Sequence, residues 1–262
     1  IFPETVAPML GDINWNQDAP YNNACPLVQG SRSMTGCVAT AMAMILKYHN
    51  FPVKGKGTHS YKTSSGLECS FDYGSTTFSW NEMRSQYVGG NYTTEEANAV
   101  AELMHACGVA VDMEYSPSNS GAYPFKVGQA LIDYFGYDEN LGYVCRQYFT
   151  SEEWMNMIKT ELSERRPVLY NGASKDVGHE FVFDGYDSQD MVHVNWGWGG
   201  LNNGYFEVVS LDPSSGVEPA ALGRVKGARH IPLQVDFVVL NIHIRNRDSR
   251  EKGLGVGMFC VF

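Results

Sequence analysis

Thr35-Gly36-Cys37-Val38-Ala39-Thr40-Ala41-Met42-Ala43-Met44-Ile45-Leu46 is the stretch on which the reading of this chain turns. From Cys37 to about His49 apolar residues fall on nearly every side, which predicts a buried central helix ending before Phe51-Pro52. A lone Cys therefore opens a core helix. Unpaired N–H groups and roughly half a positive charge gather at such an end, and they lower a thiol pKa. Gly36, lacking a Cβ, is expected to let a substrate backbone come close to the sulfur. The competing reading makes Cys37 a small buried hydrophobe, the commoner fate of a free Cys. The partner residues decide between the two.

Outward from that helix, the first half of the chain reads as helical. Thr94-Glu95-Glu96 opens a second helix with Ala97, Val100, Ala101 and Met104 on one face and Gly108 as its stop. A third runs from about Pro124 to Phe135, with Val127, Leu131 and Tyr134 inward and Gly136 closing it. Ser151-Glu152-Glu153 starts a fourth, ended by Arg165-Arg166-Pro167. After Pro167 the apolar period changes from 3.6 to 2. Val168 to Tyr170, His179 to Asp184, Met191 to Trp196, Tyr205 to Val209 and Leu233 to Ile244 read as strands, with a turn at Asp187-Ser188-Gln189-Asp190. Helices followed by an antiparallel sheet give an α+β class with a cleft between the two parts. The expected organisation is one domain over 1–262, helical over roughly 1–145 and β-rich over roughly 146–262.

Composition narrows the function classes. The 262 residues are 44% hydrophobic and 18% charged, which suits a globular chain. A net charge of −10 argues against nucleic acid and anionic membranes as partners, since both need a basic face. No apolar run is long enough to span a bilayer. Ile1-Phe2-Pro3 lacks a start Met and reads as a processed end. Cysteines at 25, 37, 69, 107, 145 and 260 show no zinc-site spacing, so neither a metal nor another cofactor is expected. Mostly free thiols are expected.

A Cys nucleophile needs a base, a group that orients the base, and donors for an oxyanion. His179 follows Gly178 at a strand start, 142 residues after Cys37 (179 − 37), within the roughly 130–150 residues known for such pairs. His193 is the competitor, but Val192 and Val194 around it suggest that it lines a sheet face. Asn195, on the next strand of a hairpin, is expected to set its amide oxygen near His179 Nδ1, with Trp196 shielding the pair from water. In Asn195-Trp196-Gly197-Trp198-Gly199-Gly200 the glycines waste strand propensity, so something there needs backbone freedom. Trp198 is expected to belong to an aromatic turn cluster. Gln17, in Trp15-Asn16-Gln17, offers an oxyanion donor beside the Cys37 N–H.

Together these residues resemble the streptopain family of bacterial papain-like cysteine peptidases, of the streptopain and interpain type. The likeness rests on Trp15-Asn16-Gln17 with Pro20-Tyr21-Asn22, Gly36 to Ala41 with Lys47-Tyr48-His49-Asn50, and Glu102-Leu103-Met104. It continues through Val111 to Tyr115, Gly178-His179 with Phe181-Val182, and His193 to Gly200, in collinear order over about residues 6 to 213. The resemblance implies a papain-like fold with Cys37 as nucleophile, His179 as base, Gln17 as oxyanion donor, and Asn195 and Trp196 in support of the His. It also implies a secreted bacterial endopeptidase made as a zymogen, silenced by its own pro-segment, acting on protein or peptide substrates. A hydrophobic residue second before the scissile bond is the implied preference.

The chain departs from that pattern at three places, one of them a short linker between Gln17 and Cys37. Glu180 follows the His where the family often has a small residue, which alters the pocket edge or the His pKa. From about Ser214 the family's long Gly-rich loop is missing, and a basic run (Arg245 to Lys252) and an apolar end (Gly253 to Phe262) stand there. Rival readings are limited. His179-Glu180 would need a second His at 183 for a zinc peptidase, and Phe183 is there. No G-x-S-x-G elbow occurs. An acyl transferase or deamidase on the same Cys-His-Asn machinery remains, as does an aromatic-rich adhesin or sugar-binding domain.

Overall fold

The computed structural model describes residues 1–173, 178–208 and 234–240, the last as backbone only. Helix α1, Cys37–His49, is the central helix that the apolar pattern predicts, and every residue from Val38 to Leu46 is buried. It closes on Asn50 in the left-handed conformation, whose N–H reaches the carbonyls of Leu46 and Lys47. α2, Thr94–Ala110, starts on a capping box in which Thr93 and Glu96 satisfy each other's backbone N–H groups.

Gly108 does not stop α2, which runs through it to Ala110. A Cβ there would lie 2.2 Å from the Tyr115 hydroxyl, so Gly108 is the place where Tyr115 crosses the helix. α3, Lys126–Phe135, ends on left-handed Gly136 as expected. Its inward residues are Val127, Leu131 and Phe135, whereas Tyr134 is only half-buried. α4, Ser151–Ser163, begins on a second capping box, Thr150 with Glu153.

Two short hairpins that the apolar pattern does not announce decorate the helical part. They are β1 (Leu27–Val28) with β2 (Ser31–Arg32), and β3 (Thr58–Lys62) with β4 (Glu68–Asp72). The main sheet holds β5 (Gly142–Cys145), β6 (Val168–Ala173), β7 (Gly178–Tyr186), β8 (Val192–Asn195), β9 (Gly204–Phe206) and β10 (Gln234–Leu240). Its order is β5-β10-β6-β7-β8-β9, antiparallel throughout. β5 brings a strand from the predicted helical part into this sheet, so the divide at 145 falls inside the sheet's own material. Of the final segment only β10 is described, within the expected strand from Leu233 to Ile244. The basic run, the apolar end and the end of the expected strand at Val209 lie outside the described residues.

β7 is buried along nearly its whole length because both of its faces are covered. Val182, with Leu169 of β6, joins the core formed with α1. Phe181 and Phe183 point the other way, into a second core with Trp154 and Ile158 of α4, Tyr170 and Trp196. Each such side chain removed from water is worth about 1.5–3 kcal/mol, so α1 and α4 clamp β7 from opposite sides. Among the described residues the α+β class is as expected, and the N-terminus of α1 meets the first residues of β7.

Candidate active site

α1 starts without a side-chain cap; Gly36 stands at the N-cap position with φ 85° and ψ 146°. Its first-turn N–H groups are therefore free to serve the half-buried sulfur. The N–H groups of Cys37 and Val38, and that of Glu180 across on β7, all favour the thiolate. Burial nonetheless outweighs them and pushes the Cys37 thiol up to about 11. The expected lowering by the helix end is present in the structure, but it is the smaller effect.

Gly36 is required by the packing of the chain itself. Its φ lies where side-chain-bearing residues are rare, and a Cβ would sit 2.7 Å from Met113 Sδ and 2.9 Å from the Ser120 carbonyl. The protein's own 113–120 segment makes a close approach there. Gly36→Ala is expected to lose about 2–4 kcal/mol of stability through backbone strain plus overlap. An unchanged denaturation midpoint would mean that the 113–120 segment moves aside freely.

His179, 9% exposed, is the second residue of β7, opposite Gly172 of β6. Its Nε2 lies 2.8 Å from the Trp196 carbonyl oxygen, which fixes Nε2 as the donor and leaves Nδ1 as the acceptor in the neutral ring. Trp198 stacks on the imidazole at 4.6 Å between centroids, with Trp196 at 6.1 Å and Phe181 at 5.8 Å. Burial among these rings pushes His179 down to about 4, against the pull of the Trp196 carbonyl. Cys37 meets β7 at Glu180, the residue directly after His179, so the thiol and the imidazole come to adjacent points of one strand.

Asn195 does not make the expected contact. Its Nδ2 donates to the Ile13 carbonyl at 2.9 Å and its Oδ1 accepts from the Gly197 N–H at 3.1 Å. The acceptor facing His179 is the carbonyl of the next residue, and it binds Nε2 rather than Nδ1. A side chain from the end of β8 is one residue out of register with the imidazole, while the turn carries a carbonyl to it. Asn195 thus holds the turn that presents Trp196.

The glycines of that turn now have their reason. Gly197, Gly199 and Gly200 take φ of 72°, 66° and 89°, and Cβ atoms there would meet Thr40, Asn16 and Asn14 at 3.2–3.4 Å. The turn is threaded between α1 and residues 14–16, and the Gly199 N–H donates to the Trp15 carbonyl at 2.9 Å. Gln17 continues the same segment. Its carbonyl accepts from the Thr35 N–H at 3.1 Å, two residues before Cys37, and it is half-buried. The structure therefore gathers Cys37, His179, Gln17 and Trp196 around one locus.

His193 stands apart, bonded through Nδ1 to Asp184 Oδ1 at 2.6 Å and edge-on to Tyr205. It lines the sheet as expected. Sequence reasoning placed Trp198 in a turn cluster, yet it is the ring nearest His179; the signal was its two-residue spacing from Trp196. Among the described cysteines, Cys25, Cys37, Cys69 and Cys107 are free thiols. Among the described residues no cluster of His, Cys, Asp or Glu could hold a metal, and no helix is long and apolar enough to cross a membrane.

An uncapped central helix bearing a thiol, set against an antiparallel sheet bearing an imidazole, defines the papain-like class of cysteine peptidases. The chain belongs to the Peptidase C10 family, which it matches over residues 15–206. It is 38% identical to streptopain of Streptococcus pyogenes over 221 residues, 78% of this chain and 55% of streptopain, so it spans about half the length of that relative. It is 36% identical over 224 residues to the thiol protease/hemagglutinin PrtT of Porphyromonas gingivalis, covering 81% of this chain and 26% of PrtT. Active interpain A, a cysteine protease of Prevotella intermedia, superposes with a TM-score of 0.80 at 36% identity, over 91% of this chain and 95% of that one. A prointerpain A fragment gives a TM-score of 0.79, over 94% of this chain and 74% of the fragment.

Proposed function

We propose that this chain is an endopeptidase that cleaves protein substrates by acyl transfer to Cys37. The observation that supports the reading is the His179 Nε2 bond to the Trp196 carbonyl, which leaves the other ring nitrogen as the base, on the residue next to the Glu180 whose N–H serves the Cys37 sulfur. Taken singly, burial favours the neutral thiol and the neutral imidazole. Held together, the two groups share one proton, and mutual attraction in a dry site favours its transfer from sulfur to nitrogen. The sulfur then attacks the scissile carbonyl carbon. The carbonyl oxygen becomes an oxyanion held by the Gln17 amide and the Cys37 N–H. His179 returns the proton to the leaving amine as the C–N bond breaks, and in deacylation it takes a proton from water, whose oxygen displaces the sulfur.

Secretion from a bacterium, synthesis as a zymogen and silencing by a pro-segment belong to the same proposal. They are supported by the likeness to streptopain and to the prointerpain fragment. A hydrophobic residue second before the scissile bond is the preference that family likeness supports. Incubation with denatured casein tests the reaction: peptide fragments support peptidase action, whereas ammonia without fragments would overturn it in favour of a deamidase. Gln17→Ala is expected to lower kcat by about 10²–10³ with little change in KM. Equal loss through KM alone would remove Gln17 from the oxyanion.

A further inference from the structure

Among the described residues, Glu180 is an acidic group at the site that the mechanism does not use. It faces α1 from β7, on the same side as Val182, and pairs across the sheet with Asn171 of β6. It is 2% exposed, and its Oε2 has no hydrogen-bond partner. Its other interaction is a hydrogen bond with the Asn171 amide. Its backbone N–H serves the Cys37 sulfur, and its carboxyl lies within electrostatic reach of that same sulfur.

Among the described residues no cation is paired with it. α1 faces it with Cys37, and β6 faces it with the uncharged Asn171. On β7 the imidazole of His179, stacked on Trp198, is the partner of the thiol in the proposed mechanism, and Asp184 is taken by His193 of β8 and the Leu10 N–H. Glu161 of α4, on the far side of the sheet, is paired with Arg166.

We propose that Glu180 is a positioning residue for the nucleophile: its N–H holds the Cys37 sulfur, while its carboxyl competes with that sulfur for the single negative charge this face of β7 accommodates. The inference rests on Cys37 being the nucleophile. Two anions buried side by side repel, and the His179 imidazolium is already matched by the thiolate, so whenever Cys37 is a thiolate Glu180 keeps its proton as a neutral acid. Burial pushes the Glu180 carboxyl well above the usual range, in the same direction. Once the sulfur is acylated it is neutral, and the competition ends until the thioester is hydrolysed. At acid pH Glu180 is protonated and has no effect. At alkaline pH it ionises and opposes the thiolate.

The test is the pH dependence of Cys37 alkylation by iodoacetamide, which reads the thiol without needing peptidase turnover. In Glu180→Gln the alkaline part of the profile is expected to move about one pH unit lower, with the acid part unmoved. A profile superimposable on the parent's, or a uniform change in rate at every pH, would overturn the proposal. The reciprocal measurement keeps Glu180 itself: the infrared band of its protonated carboxyl, assigned by its loss in Glu180→Gln, should disappear at lower pH in Cys37→Ala than in the parent. An unmoved band would also refute the coupling. Alkylation that does not favour Cys37 over the other cysteines strikes at the nucleophile reading instead, so the two failures are distinguishable.

Discussion

Cys37→Ala is expected to abolish casein cleavage while leaving the fold nearly intact. Loss of a covalent nucleophile typically lowers kcat by about 10⁵-fold or more, because the remaining donors can bind a substrate but cannot form the acyl intermediate. The effect on stability should be small. The change removes one half-buried sulfur at a helix end and leaves the buried run from Val38 to Leu46 untouched. A cost of about 1 kcal/mol corresponds to roughly 2–4 °C in Tm for a chain of this size. Calorimetry together with fragment release checks both halves. Residual cleavage near the parent rate would contradict the assignment of Cys37.

The second large effect belongs to His179. His179→Asn keeps a hydrogen-bonding side chain next to the Trp196 carbonyl but has no titratable base, and kcat is expected to fall by about 10⁴-fold. The sign of the pH dependence follows from the two groups. With burial holding His179 down to about 4, the base is available above that pH and is lost as pH falls through it. The alkaline limit comes when the pair gives up its last proton, toward the thiol value of about 11. The parent profile is therefore a broad bell whose limbs report the coupled pair rather than either residue alone. In His179→Asn the acid limb should vanish from the alkylation profile of Cys37. An acid limb persisting in the variant would assign that limb to another group.

Local signals carried most of the architecture. The unbroken apolar run after Cys37 could only be a core helix, and Thr93 with Glu96 and Thr150 with Glu153 mark helix starts because a capping box is a contact within one turn. The change of period after Pro167 marks strands for the same reason: burial on a pleated surface repeats every two residues. Gly108 shows where local reasoning fails. A glycine near a helix end usually stops it, yet here it admits a tyrosine from a later segment.

The site divides along the same line. Residue types and order pointed to Cys37, His179, Gln17 and Trp196, since a thiol at a helix start and a histidine at a strand start carry their chemistry in their neighbours. Which atom faces which is a tertiary matter. The step from the Asn195 side chain to the Trp196 carbonyl, the stacking of Trp198, and the orphaned Glu180 oxygen arise from how a turn and a strand are seated against α1.

By itself, then, the chain's pattern determined an α+β protein with a thiol at the head of its central helix and an imidazole on its sheet, because both follow from short-range periodicity and helix-end chemistry. Only the tertiary structure decided the protonation balance. Burial depends on what packs over a group from distant parts of the chain; at Cys37 it outweighs the local helix end and at His179 the pull of the Trp196 carbonyl.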